Sequence, residues 1–259
     1  TLDRILTTTR ENLPALHARR GEVERAAAEA PARPEFLRLW DRSRVALIAE
    51  VKRRSPSQGT IRADLDPAAH AAAYAAAGAS AISVLTDAPF FGGSLEDLRL
   101  VAERVTIPLL RKDFILEELQ VAEARAAGAS AVLLIVRALP LERLHALLRA
   151  ARDWELATLV EVHDEHELDV ALAVDAPVIG VNSRNLDTFA LDVAAAWPLL
   201  GRIPRDRIAI AESGMANEAD VRRAAAAGAD AVLIGTALSA APDPSRLARA
   251  VAGVPRTGR

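Results

Sequence analysis

Two lysines stand apart in this chain. Of its 32 basic residues only Lys52 and Lys112 are lysines, and the other 30 are arginines. A guanidinium stays protonated, whereas an ammonium can be tuned by its surroundings and can pass a proton. Each lysine falls at the end of an apolar, strand-like run. In VALIAEVK (45–52) the alternation of side chains puts Ala46, Ile48, Glu50 and Lys52 on one face, with both charges at its late end. Lys112 takes the same late position in IPLLRKD (107–113). So do Glu161 in ATLVEVH, Asn182 in PVIGVNSRN and Glu212 in RIAIAES, with Arg184 and Ser213 just beyond. Lysines beside carboxylates in a half-dry pocket feel opposed pressures: burial lowers a lysine pKa and a neighbouring anion raises it. Groups balanced in this way suit general acid and base work near neutral pH.

A second pattern fits anion binding. ESGMAN (212–217) and IGTALS (234–239) each open a helix with small residues. Gly214 and Gly235 let backbone N–H groups approach an anion, and Ser213 and Thr236 can donate hydroxyls. The first loop, KRRSPSQG (52–59), brings Lys52 and Ser55 within reach of the same phosphate. No GxxxxGK[ST] sequence occurs, so nucleoside triphosphate chemistry is not expected. His163 and His166 have an i, i+3 spacing but no evident third ligand, and read as a solvated loop-and-helix pair. Trp40, Trp154 and Trp197 are scattered and read as packing residues.

The elements that position these residues repeat. AAAGASAISVL (75–85), AAGASAVLLIV (126–136) and AAGADAVLIG (226–235) each run from an alanine-rich helix through glycine into an apolar strand. Their glycines, Gly78, Gly128 and Gly228, are 50 and 100 residues apart, which fits a unit of about 25 residues used two and four times. Strand-like runs fall at 45–51, 81–86, 107–113, 131–136, 157–163, 177–182, 207–213 and 231–235. Helical patterns lie at 66–77, 94–104, 117–127, 141–152, 164–173, 191–200, 217–227 and 243–252. This alternation predicts a parallel sheet, and at this length a closed (β/α)8 TIM barrel is favoured over an open doubly wound sheet. In such a barrel all strand C-termini meet at one face, so the late charges converge there.

Residues 1–44 precede the first strand and read as an N-terminal helical extension, with Pro31 and Pro34 breaking its second helix. The apolar stretch PEFLRLW (34–40) follows. The extension either covers the barrel bottom or lids the top. The chain is thus read as one domain over 1–259, its barrel spanning 45–253.

Composition narrows the function. With 51% hydrophobic and 26% charged residues the chain can bury a large core. A net charge of −3 gives no basic field for nucleic acid, and the absence of cysteine excludes disulfides, thiolate metal sites and a cysteine nucleophile. No apolar run approaches the roughly 18 residues needed to span a bilayer. The first ten residues lack a signal-type stretch, so a soluble, cytoplasmic protein is expected.

Taken together, AEVKRRSPSQG (49–59), SVLTDAPFFGGS (83–94), LLRKDFI (109–115), LVEVH (159–163), GVNSRNL (180–186), AESG (211–214) and LIGTAL (233–238) resemble the indole-3-glycerol phosphate synthase family, in family order. The resemblance implies a TIM barrel that closes the ring of 1-(2-carboxyphenylamino)-1-deoxyribulose 5-phosphate with loss of CO2 and water, in tryptophan biosynthesis. It implies no cofactor and no metal. Carried over, Lys112 is the acid for ring closure, and Glu161 stabilises cationic intermediates or acts as base. Glu50 and Lys52 hold substrate and assist proton transfer, while Asn182 and Glu212 position hydroxyls and catalytic groups. Arg184 binds the anthranilate carboxylate. Ser55, Ser213, Gly214, Gly235 and Thr236 hold the phosphate, and Phe91, Phe114, Leu133 and Leu186 bracket the aromatic ring. The expected partner is a small sugar phosphate bearing an anthranilate ring, with no nucleic acid or membrane and a monomer or weak homodimer. Two other readings stay open: another sugar-phosphate barrel enzyme, an isomerase or a Schiff-base aldolase using a lysine amine, and a non-catalytic phosphate-binding barrel.

Overall fold

Each strand-like run becomes a strand, and all eight meet in one sheet. They are Ala46–Val51 (β1), Ala81–Leu85 (β2), Leu109–Lys112 (β3), Ala131–Ile135 (β4), Ala157–Val162 (β5), Val178–Asn182 (β6), Ile208–Glu212 (β7) and Ala231–Ile234 (β8). The computed structural model describes residues 1–36 and 43–258. Every neighbouring pair is parallel, and β8 pairs with β1 in register Ala46↔Ala231 to Ala49↔Ile234. The sheet is therefore a closed barrel rather than an open doubly wound sheet.

Helices return the chain between strands. Pro67–Ala76, Leu95–Arg104, Glu165–Ala173, Glu218–Ala226 and Pro244–Ala252 start on Asp66, Ser94, Asp164, Asn217 and Asp243, whose side chains accept first-turn N–H groups. Gly78, Gly128 and Gly228 end their helices at φ of 97°, 88° and 111°, a left-handed stop that glycine adopts without strain. One expected helix is corrected. The 191–200 pattern yields only Val193–Ala196, which tightens into a 3-10 turn over Trp197–Arg202. Pro198 has no N–H for an i→i−4 bond, so the α-helix stops there.

The alternation of each strand divides the core. Leu47, Ala49 and Val51 of β1 face the surrounding helices, while Ala46 and Ile48 join Leu110, Leu133, Leu159 and Ile210 inside the barrel. These inner residues fill the lower layers. The next inward positions are Glu50, Lys112, Glu161, Asn182 and Glu212, so the polar groups rest on a dry apolar floor.

The extension both covers the strand C-terminal end and runs down the outside. Helix Leu2–His17 packs Leu2, Ile5 and Leu6 into the cluster that holds Phe114 and Leu116. It spans from the loop after β6, where Asp187 Oδ1 accepts the Leu2 N–H at 3.2 Å, to the loop after β3, where His17 Nε2 lies 2.5 Å from Glu117 Oε2. Helix Arg20–Glu29 then seats Val23 and Ala27 on Leu119 and Ala122. Arg125 donates to the carbonyls of Ala30 and Pro31, and Arg33 to those of Ala102, Val105 and Ile107. Phe36, 1% exposed, joins the barrel-interior cluster. The rest of the 34–40 segment, with Trp40, lies outside the described residues. Of the other tryptophans, Trp197 is buried in the outer core and Trp154 packs against it.

Candidate active site

A cavity of about 350 Å³ opens where the strands end, and all sixteen site residues singled out from the sequence line it. Its floor is charged. Glu50, Glu161 and Glu212 are 3%, 1% and 1% exposed. Lys52 Nζ lies 3.1 Å from Glu50 Oε1, and Lys112 Nζ sits between Glu161 Oε2 at 3.6 Å and Glu212 Oε2 at 3.7 Å.

These neighbours drive the pKa values apart. Burial alone would lower Lys112, but the anions Glu161, Glu212 and Glu50 outweigh it and hold the amine protonated. Burial would raise Glu161, but Lys112 and His163 outweigh it and bring its carboxyl down to about 2. Glu212 moves the other way: burial, then repulsion from Glu161, push it well above the ordinary carboxylate range. The pair holds one proton between two acids, an arrangement that can both accept and donate. Among the described residues none donates an aligned hydrogen bond to the Glu161 or Glu212 oxygens. Their nearest charged partners are Lys112 Nζ on both Oε2 atoms and His163 Nε2 on Glu161 Oε1.

One flank is made of small and hydroxyl-bearing residues. Ser213 and Gly214 take successive left-handed conformations, φ 64° and 82°, and turn the chain sharply after β7. For Ser213 that is a strained conformation, held by a hydrogen bond from its Oγ to Asn182 Oδ1 at 2.9 Å. Asn182 Oδ1 also accepts the Arg184 N–H at 3.0 Å. Gly235 and Thr236 line the adjacent turn after β8, and Ser55, in a small hairpin of Arg54–Ser55 with Gly59–Thr60, closes the arc. The opposite flank is apolar. Phe91 and Phe114, with ring centroids 6.3 Å apart, face the cavity with Leu133 and Leu186. Arg184 lies on the rim, its Nη1 donating to the Phe189 carbonyl at 2.9 Å.

A protonated lysine between two acids, an arc of small and hydroxyl-bearing residues and an aromatic flank occur together over a chain whose residues 2–251 match the family model described as indole-3-glycerol phosphate synthase. The chain belongs to the indole-3-glycerol phosphate synthase family. A relative so named from Nocardioides sp. is 51% identical over 209 residues, 81% of this chain and 80% of the relative. Another, from Desulfosudis oleivorans, is 44% identical over 248 residues, 93% of this chain and 94% of the relative. Among solved structures, 3-hexulose-6-phosphate synthase from Salmonella typhimurium superposes with a TM-score of 0.62 at 16% identity, over 80% of this chain and 97% of that one. At that identity the likeness carries the barrel fold alone. Members of the indole-3-glycerol phosphate synthase family act on a small-molecule phosphate. No helix among the described residues is long and apolar enough to cross a membrane.

Sequence reasoning missed other features of the cavity and its supports. Gly180 and Gly235 also make room. A Cβ on Gly180 would lie 2.1 Å from Glu212 Oε1, and one on Gly235 would lie 2.2 Å from Glu50 Oε1. Glycines inside inward-facing strand ends were the available signal. Arg111 braces the end of β3 from outside, donating to Thr86 Oγ1, the Gln120 carbonyl and Asp113 Oδ2. The reading of His163 as a solvated residue is corrected. Its side chain is 4% exposed, with Nε2 3.3 Å from Glu161 Oε1 and Nδ1 3.0 Å from Glu167 Oε2, whereas His166 is exposed. Two carboxylates can replace the water a buried imidazole loses, which the i, i+3 histidine spacing does not reveal.

Proposed function

We propose that this chain is an indole-3-glycerol phosphate synthase: it closes the ring of 1-(2-carboxyphenylamino)-1-deoxyribulose 5-phosphate and releases CO2 and water. The observation that carries this reading is Lys112, held protonated between Glu161 and Glu212 with an apolar flank on one side and the arc of small and hydroxyl-bearing residues on the other. Phosphate binds in the arc of Ser55, Ser213, Gly214, Gly235 and Thr236, with Lys52 beside it. The anthranilate ring lies against Phe91, Phe114, Leu133 and Leu186, its carboxylate toward Arg184. Anchoring both ends puts the aromatic carbon bearing the carboxylate next to the ketose carbonyl.

Chemistry then follows the charges. As that carbon attacks, a C–C bond forms and the carbonyl oxygen takes a proton from Lys112. The aniline nitrogen shares the positive charge, which Glu161 stabilises. Loss of CO2 leaves its bonding pair in the ring and restores aromaticity. The new hydroxyl then leaves as water, a neighbouring carbon gives up its proton, and the indole is complete. Glu212, with its proton, and Glu161, without one, are suited to these two transfers. Glu50 and Asn182 hold the sugar hydroxyls. An aldolase reading needs a neutral lysine nucleophile, and the carboxylates around Lys112 oppose that.

In this reading the chain works as one domain, residues 45–253 forming the barrel and 1–44 its cover. It acts in the cytoplasm as a monomer or weak homodimer, without nucleic acid or membrane. Purified protein mixed with the anilino-deoxyribulose phosphate should develop indole fluorescence and release CO2 in equal amounts. Folded protein that binds this compound without turnover would leave only the phosphate-binding barrel.

A further inference from the structure

His163 follows Glu161 by two residues at the end of β5, so both side chains lie on the same side of the strand. Its imidazole is enclosed, 4% exposed, and each ring nitrogen meets a different carboxylate: Nε2 is 3.3 Å from Glu161 Oε1 and Nδ1 is 3.0 Å from Glu167 Oε2. A neutral ring would leave a lone pair beside one of those anions, whereas an imidazolium carries a proton on each nitrogen and a positive charge between both carboxylates. Glu167 is itself fixed. It accepts the His163 backbone N–H at 2.9 Å and Arg137 Nε at 2.6 Å. Arg137 Nη2 also reaches Asp164 Oδ2 at 3.4 Å. The charged groups facing the ring are thus Glu161 from β5, Glu167 from helix Glu165–Ala173 and Arg137 from the turn after β4, with Lys112 and Glu212 beyond Glu161.

Glu161 consequently lies between two cations, Lys112 on Oε2 and His163 on Oε1. When Lys112 gives its proton to substrate, Glu161 loses the charge that kept it ionised on one side. The charge on the other side remains. We propose that His163 is a positioning residue, an imidazolium that keeps Glu161 ionised and aimed at Lys112 while the lysine proton is away. The inference rests on the function proposed above. Burial opposes charging the ring, but the two carboxylates outweigh it and push its pKa up to about 9.

Two measurements test it. In wild-type protein, nitrogen-15 NMR of the His163 ring should show both nitrogens protonated at pH 7.5. The Glu167→Gln variant should lower the midpoint of that titration. In His163→Gln, the acid limb of the kcat profile should move to higher pH, because Glu161 then protonates more easily. The limb should shift by about one pH unit or more, with KM within about twofold of wild type. Should His163→Gln fail to fold, Glu167→Gln carries the kinetic test, with its acid limb moving the same way. Wild-type protein that makes no indole overturns both readings. Wild-type turnover with a neutral ring at pH 7.5, or with an unmoved acid limb in the folded variant, overturns this inference alone.

Discussion

Glu161 and Glu212 share one ammonium yet hold their protons oppositely, and the difference lies in what stands behind each. Glu161 has His163 at its back, while Glu212 has the Gly180 backbone, where a side chain cannot fit. Burial without a second cation keeps Glu212 protonated. Lys112 is the hinge of this arrangement. Lys112→Arg keeps the charge but replaces a tunable donor with one that does not release its proton. Its kcat should fall by about a hundredfold or more while far-UV circular dichroism stays that of the wild type. Near-normal kcat would remove Lys112 from proton transfer. Gly180→Ala tests the space beside Glu212. The added methyl would sit 2.1 Å from Oε1, so the carboxylate must swing away. We expect kcat to drop by about tenfold or more, since displacing a catalytic group by about 1 Å has such effects. Unchanged kcat in that variant would mean that Glu212 has no need of its present position.

Strands and their late charges were legible in the sequence for a topological reason. A parallel barrel gathers every strand C-terminus at one face, so VALIAEVK, LLRKD and LVEVH needed only their alternation to be aligned. The glycine stops after the alanine-rich helices were legible because a left-handed turn leaves few other residues. The path of the extension was not. It depends on Arg33 and Arg125 reaching carbonyls 69 to 95 residues away, and no local pattern encodes such a partner. His163 was misread for a similar reason, since its burial depends on Glu161 and Glu167 closing around it. Arg33 gives the element scale its prediction. Its guanidinium caps carbonyls at the C-terminal end of helix Leu95–Arg104 and the approach to β3. Arg33→Ala should cost about 1–3 kcal/mol in urea unfolding, because partly buried acceptors lose a charged donor. Wild-type stability would mean that water satisfies those carbonyls as well as Arg33 does.

Closing the sheet makes the rim charges a property of the whole molecule, because no ring member can change its proton without altering the others. Folding stability must therefore depend on pH through this cluster. Glu161 has a lowered pKa, so the stability it contributes is present above its ordinary 4.5 and is lost as pH falls through its folded value of about 2. Glu212 is raised, so its contribution is full below 4.5 and is lost as pH climbs through its folded value. In the acid range the two oppose each other. His163 acts in a separate window. Its pKa rises from 6.5 to about 9, so its contribution is full below 6.5 and disappears as pH rises through 9. A shift of that size corresponds to at most about 3 kcal/mol. For a chain of this length each kcal/mol moves Tm by roughly 2–4 °C, so the decline is measurable. Wild-type Tm should fall by several degrees between pH 6.5 and 9.5, and in His163→Gln the fall over the same window should be clearly smaller. Groups remote from the ring are common to both proteins, so the difference between the two curves belongs to the imidazole and the charges coupled to it. Parallel curves would place the ring outside the charge balance of the folded state.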